Sequence, residues 1–217
     1  MKYLILSDIH GAWEGMPRLK EYAGGMDGFI ICGDLTHFGG AAEAEPVLRE
    51  ARKLSGQIAG VHGNCDRQSV AELLVSEGVS VQNRWGSLGE TPVFGLGASL
   101  PAPSPTPSTW TEEEAETLLA AAGENIPEGP WIFVCHQPPR ESEADTISSG
   151  AHVGSVSVAG FIRRACPALV VSGHIHEAFS VSRFGESLLV NPGSFKEGRF
   201  AVAELKDGRA EAELLQV

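Results

Sequence analysis

The sequence predicts an α/β fold, expected as a single domain over residues 1–217, and three observations point there. Short unbroken runs of Val, Ile, Leu and Phe recur along the chain, and segments with helical spacing of apolar residues stand between them. Where several of the runs stop, an Asp, Asn or His comes at once. The 42% apolar and 20% charged content is that of an ordinary globular chain, long enough to bury a sizeable core.

Strands are expected at residues 2–7, 28–32, 58–62, 93–97, 131–135, 168–172, 187–190 and 200–204. A last one, at 210–215, closes a hairpin across Lys206-Asp207-Gly208. These runs lack polar alternation, as suits strands covered on both faces. Among the helices, Val47, Leu48, Ala51 and Leu54 share one stripe, with Pro46 placed in the first turn, where its missing N–H costs nothing. Val70, Leu73, Leu74 and Glu77 repeat the spacing after Asp66. Thr111-Glu-Glu-Glu114 reads as a capping box, opening a helix that stops near Gly123. Ser155 or Ser157 caps another, with Val158, Phe161, Ile162 and Ala165 inward and Cys166-Pro167 ending it. Residues 99–108 hold four prolines and read as a stiff surface loop, and 138–154 reads as a flexible binding loop or lid.

The formal charge of −12 argues against a binder of long nucleic acids, which would need many Lys and Arg for phosphates. Small nucleotides stay compatible, provided something local reverses the sign, and bound divalent cations do that. No apolar run is long enough for a membrane span. The N-terminal apolar run is too short for a signal peptide, so the protein is expected to begin here. Four scattered cysteines, Cys32, Cys65, Cys135 and Cys166, without a C-x-x-C pair, fit a reduced, cytoplasmic setting.

The residues that carry chemistry stand just past the strands. Asp8 and His10 come after the first, Asp34 after the second, Asn64 after the third, His136 after the run at 131–135, and His174 with His176 after the run at 168–172. In open α/β sheets ligands bind at the carboxyl ends of strands, so these groups can converge on one crevice. Glycine precedes Asp34, Asn64 and His174, where the backbone must turn sharply. Imidazoles, carboxylates and an amide oxygen suit divalent Mn, Fe, Zn, Co or Ni. No cysteine cluster offers a structural zinc site.

Asp8-Ile-His10, Gly33-Asp34, Gly63-Asn64-Cys65-Asp66, His136 and Gly173-His174-Ile-His176, in that order over nearly the whole chain, resemble the calcineurin-like metallophosphoesterase superfamily. The resemblance implies a four-layer α-β-β-α sandwich of two mixed β-sheets flanked by helices. It implies one metal ion on Asp8, His10, Asp34 and His176, and a second on Asp34, Asn64, His136 and His174. Asp34 would bridge ions about 3.5–4 Å apart, and a bridging hydroxide would attack phosphorus in line. The family's third block commonly carries His where Cys65 stands, a residue that contacts phosphate and helps protonate the leaving group. Cysteine weakens that assistance, which favours a small phosphodiester over a monoester, as in small prokaryotic phosphodiesterases with G-N-C-D. A phosphomonoesterase or protein phosphatase, a nuclease and a non-catalytic scaffold of the same fold are the alternatives, and the oligomeric state stays open.

Other residues carry two readings each. Asp66 orients its neighbour in catalysis or caps the helix starting near Arg67. His152, in Gly-Ala-His-Val-Gly-Ser, is an added substrate contact or a plain loop histidine. His37 is expected at the rim of the site and His62 as a buried, hydrogen-bonded core residue. Asn191-Pro-Gly-Ser194 is expected to support the ligands from behind.

Overall fold

The computed structural model describes residues 1–217. In chain order its strands and helices are β1 (Lys2–Leu6), α1 (Lys20–Ala23), β2 (Gly28–Cys32), α2 (Ala41–Leu54), β3 (Ile58–Val61) and α3 (Gln68–Ser76). Then come β4 (Trp85–Leu88), β5 (Thr91–Leu96), α4 (Glu112–Gly123), β6 (Ile132–Cys135), α5 (Val156–Ala165) and β7 (Leu169–Val171). The chain closes with β8 (Ser180–Phe184), β9 (Ser187–Asn191), β10 (Arg199–Lys206) and β11 (Arg209–Gln216).

Successive strand side chains face opposite ways, so each buried strand feeds two cores. In β1, Tyr3 and Ile5 enter one cluster while Leu4 and Leu6 enter another. The first of these lies between two sheets, joining Ile30, Cys32 and Val61 to Val93, Ile132, Val134, Val171 and Val190. Leu4, Leu6, Phe29 and Ile31 pack instead under Val47, Leu48 and Ala51 of α2 and Val70 and Leu74 of α3. On the far side, Leu96, Phe133, Val170 and Leu189 pack under Ala115 and Leu119 of α4 and Phe161 and Ile162 of α5. The result is the expected sandwich of helix, sheet, sheet and helix.

One sheet runs β11-β10-β1-β2-β3 and the other β4-β5-β6-β7-β9-β8. β1, β2 and β3 are mutually parallel, as are β5, β6, β7 and β9. Antiparallel strands lie outside these runs: β10 and β11 in one sheet, β4 and β8 in the other. Both sheets are therefore mixed, and the loops that leave the parallel strands gather at one edge. No helix is long and apolar enough to cross a membrane.

Capping obeys the expected chemistry in two helices. Thr111 and Glu114 exchange hydrogen bonds of 3.2 Å and 2.7 Å at the start of α4. The Ser155 hydroxyl accepts from Val158 N at 3.1 Å, and α5 stops at Cys166, left-handed at φ 47°.

Elsewhere the structure corrects the sequence. Pro46 lies inside α2, which begins five residues earlier at Ala41, because Glu43 accepts from Gly40 N and Ser69 from Ala41 N to close its start. β4 and β8 went unseen because, as edge strands with exposed polar residues, they show no apolar run. Residues 13–23, for which the sequence offers no clear spacing, form a 3₁₀ turn (Trp13–Leu19) running into α1, a segment interrupted by Gly15 and Pro17. The loop at 138–154 is pinned rather than free. The fully buried Asp145 carboxylate accepts from Glu141 N, Ser142 N and Gly154 N at 2.9–3.1 Å.

Candidate metal centre

Every residue expected to hold metal stands just past the carboxyl end of a parallel strand. Asp8 and His10 come after β1, Asp34 after β2, Asn64 after β3, His136 after β6, and His174 with His176 after β7. The chain must bend back immediately there, and the backbone records the cost. Asp8, His10, Asp34 and His174 hold left-handed φ values of 52°, 47°, 49° and 67°. Non-glycine residues rarely adopt that region, and such strain clusters at functional sites. The preceding glycines answer a packing need: a Cβ on Gly63 would run into the Asp34 carboxylate, and one on Gly173 into the Ser7 hydroxyl.

The polar atoms converge. Asp8 Oδ1 lies 3.1 Å from His176 Nε2 and 3.9 Å from His10 Nε2, while its Oδ2 accepts from His174 N at 3.0 Å. Asp34 Oδ2 is 3.8 Å from His10 Nε2, and its Oδ1 is 3.6 Å from His136 Nε2. Asn64 Oδ1 meets His136 Nε2 at 3.0 Å, and the His136 and His174 rings stand 5.4 Å apart. Three groups have ligand atoms close enough to share a cation: Asp8, His10 and His176; Asp8, Asp34 and His136; His10, Asp34 and Cys65.

This donor set fits a cation. Asp8 and Asp34 are buried carboxylates, and the only charged partners within ion-pair distance are imidazoles, with no Lys or Arg among them. Buried carboxylates need pairing or metal coordination. His10 Nε2 and His176 Nε2 face each other at 3.2 Å, two nitrogens aimed at one point. Burial pushes Asp8 toward protonation, yet the His176 hydrogen bond and the charge of His136 outweigh it and hold the acid ionised. Asp34 is likewise held well below the usual carboxylate range, burial being outweighed by His136 and His10. Burial lowers His10, and it lowers His174 to about 4, keeping that imidazole neutral as ligation requires. His136 and His176 move up, the first because Asp34 outweighs its burial, the second through its bond to Asp8.

The surrounding residues sort themselves by contact. Cys65 is buried with its backbone N–H donating to Asp34 Oδ1 at 2.8 Å, and burial next to Asp34 drives its thiol far up, so it stays protonated. Asp66 does not cap α3, whose first turn receives no side-chain cap. Its carboxylate instead accepts from Leu35 N, Thr36 N, Thr36 Oγ1 and Gly63 N at 2.8–3.1 Å, bracing the Asp34 loop against the Asn64 loop. Burial and the charge of Asp34 raise it to about 6. His62 is buried as expected but not hydrogen-bonded: its Nδ1 has no partner, and burial lowers the ring to about 4. His37 is exposed at the lip, its ring edge-on to His10 at 5.5 Å.

His152 is exposed, on a loop tied to the chain just past His136 and just past His176, the latter through Ser148 N donating to the Glu177 carboxylate. Gln137 Nε2 donates to the neighbouring Val153 carbonyl at 3.1 Å, and His152 Nδ1 meets the buried Asp145 Oδ1 at 2.7 Å. Asn191 Nδ2 bridges Ile175 O at 3.0 Å and Ala144 O at 3.5 Å, and Ser194 Oγ donates to Asp8 O at 2.9 Å. The Asn-Pro-Gly-Ser turn thus supports both ligand loops from behind. Sequence reasoning missed Asp145 and also Arg199, whose guanidinium donates to His176 O at 3.0 Å. Asp145 had a readable signal, an acid seven residues before His152, whereas Arg199 had none.

A model of the calcineurin-like phosphoesterase superfamily domain matches residues 1–207. The uncharacterized protein MJ1162 of Methanocaldococcus jannaschii is 32% identical over 202 residues, covering 88% of each protein. The crystal structure of TT1561 of Thermus thermophilus aligns with a TM-score of 0.77 at 21% identity, covering 98% of this chain and 97% of that one. The solved structure of a novel archaeal phosphodiesterase aligns with a TM-score of 0.52 at 15% identity, covering 99% of this chain and 100% of that one. Likeness at such low identity concerns the fold alone. On the family match and the identity to the archaeal relative, the chain belongs to the calcineurin-like phosphoesterase superfamily.

Proposed function

We propose that the protein is a phosphodiesterase dependent on two divalent metal ions and acting on a small phosphodiester. The observation that carries this reading is the convergence of Asp8, Asp34 and the rings of His10, His136 and His176, with the His174 ring against His136, without any Lys or Arg pairing the carboxylates. Asp8, His10, Asp34 and His176 would hold one ion, and Asp34, Asn64, His136 and His174 the other. Bound there, Mn, Fe, Co, Ni or Zn supplies an acidified water and neutralises charge on phosphate oxygens.

The chain's own groups set the rest. Asp66 and Ser194 hold the ligand loops in register. Cys65 fills the place beside Asp34 with a neutral thiol, so no cationic acid from that position meets the leaving group. A diester monoanion tolerates that better than a monoester dianion. His152 has Nδ1 engaged by Asp145, which leaves Nε2 without a protein partner, and we assign that nitrogen a contact with the substrate ester. Turnover of bis(p-nitrophenyl) phosphate and p-nitrophenyl phosphate, compared across these metals, tests the reading. Preference for the diester is expected, and preference for the monoester would contradict the argument from Cys65.

A further inference from the structure

Phe38 is an odd residue where it stands. Its backbone is left-handed at φ 62°, a region in which glycine or asparagine is ordinary and a bulky ring is an outlier. The turn itself needs no ring. Thr36 Oγ1 accepts from Gly39 N at 3.1 Å, Gly39 O accepts from Arg67 N at 3.1 Å, and α2 starts three residues on. Nor is the strain offset by burial, since Phe38 is 40% exposed and is the one aromatic among the exposed large apolar side chains.

The ring leads somewhere. It sits edge-on to His37 at 4.7 Å, and His37 sits edge-on to His10 at 5.5 Å. His10 Nε2 in turn lies 3.8 Å from Asp34 Oδ2. Three rings therefore lead from the carboxylate cluster to solvent, and the outermost, Phe38, is apolar and partly exposed. A nucleoside sets its base about one sugar away from its phosphate, and every base has a flat π-face that stacks on aromatic rings without regard to sequence.

We propose that Phe38, backed by His37, is a stacking ledge that selects substrates carrying a nucleobase on one ester arm. This deepens the phosphodiesterase reading and depends on it only for where the phosphate sits. AMP and ribose 5-phosphate share the phosphate and sugar and differ in the base, so calorimetric titration of both into manganese-loaded protein isolates the ledge. Wild type should bind AMP roughly tenfold more tightly, the size of one stacked base. F38G, which relieves the left-handed strain and should fold at least as well, should bring AMP down to the affinity of ribose 5-phosphate, and F38Y should keep the preference. Equal affinities in wild type, or a preference that survives F38G, would overturn the ledge. Diester turnover is scored separately. Base preference without diester hydrolysis would keep the ledge and remove the phosphodiesterase reading, and hydrolysis without base preference would do the reverse.

Discussion

Asp145 offers a perturbation whose size can be worked from its contacts. Its Oδ2 accepts from Glu141 N at 3.1 Å and Gly154 N at 2.9 Å, and its Oδ1 from Ser142 N at 2.9 Å and His152 Nδ1 at 2.7 Å. Asp145→Asn keeps one oxygen. Turned toward Glu141 and Gly154, that oxygen preserves two bonds, while the new NH₂ faces the other two donors. His152 can move its ring proton to Nε2 and accept, which leaves Ser142 N as one buried N–H without a partner. Such an orphan costs about 1–3 kcal/mol. Asp145→Ala strands three backbone N–H groups and should cost about 3 kcal/mol or more. Urea denaturation of metal-free protein reads both, as a lowered midpoint at unchanged slope. An Asn variant within about 0.5 kcal/mol of wild type, the scale of an ordinary surface change, would refute the reasoning. So would an Asn variant as damaged as the Ala variant.

Asp34→Ala should abolish turnover while circular dichroism stays that of the folded protein, and near-normal rates would contradict its central place. Iodoacetamide at neutral pH should label native protein at the exposed Cys166 alone and spare Cys65, which mass spectrometry of the peptides reads directly. Glu112 is raised by burial but more strongly lowered by hydrogen bonds from Ser157, Ser155 and Val156, so its folded pKa lies below the ordinary 4.5. That stabilisation is full above pH 4.5 and is lost as the pH falls through the depressed value. The melting temperature of wild type should thus exceed that of Glu112→Gln at pH 7, with the gap closing in acid.

Much of this was legible in the residues because the cores lie on both faces of the central strands. A strand such as Gly28-Phe-Ile-Ile-Cys32 must be apolar throughout, and so it announces itself. The candidate ligands are equally visible, since each must sit a few residues past such a run. What hid was whatever is half-exposed or made by contacts distant in sequence. Ser-Val-Ser-Arg-Phe of β8 shows no apolar run because, at the edge of its sheet, most of its side chains stay partly exposed. Ala41–Pro46 reads as a lead-in because the groups closing the helix start include Ser69, 28 residues away. Asp66 looks like a cap from its place before α3, yet its donors come from residues 35, 36 and 63, which only the folded chain brings together. The orphaned Nδ1 of His62 has the same origin: a strand position fixes burial but not the partner.

The most direct test is an anomalous difference map from crystals of the protein grown with manganese. Two peaks are expected, one among Asp8, His10 and His176 and one among Asn64, His136 and His174, with Asp34 touching both. Density at neither position, or manganese bound elsewhere on the chain, would contradict the account.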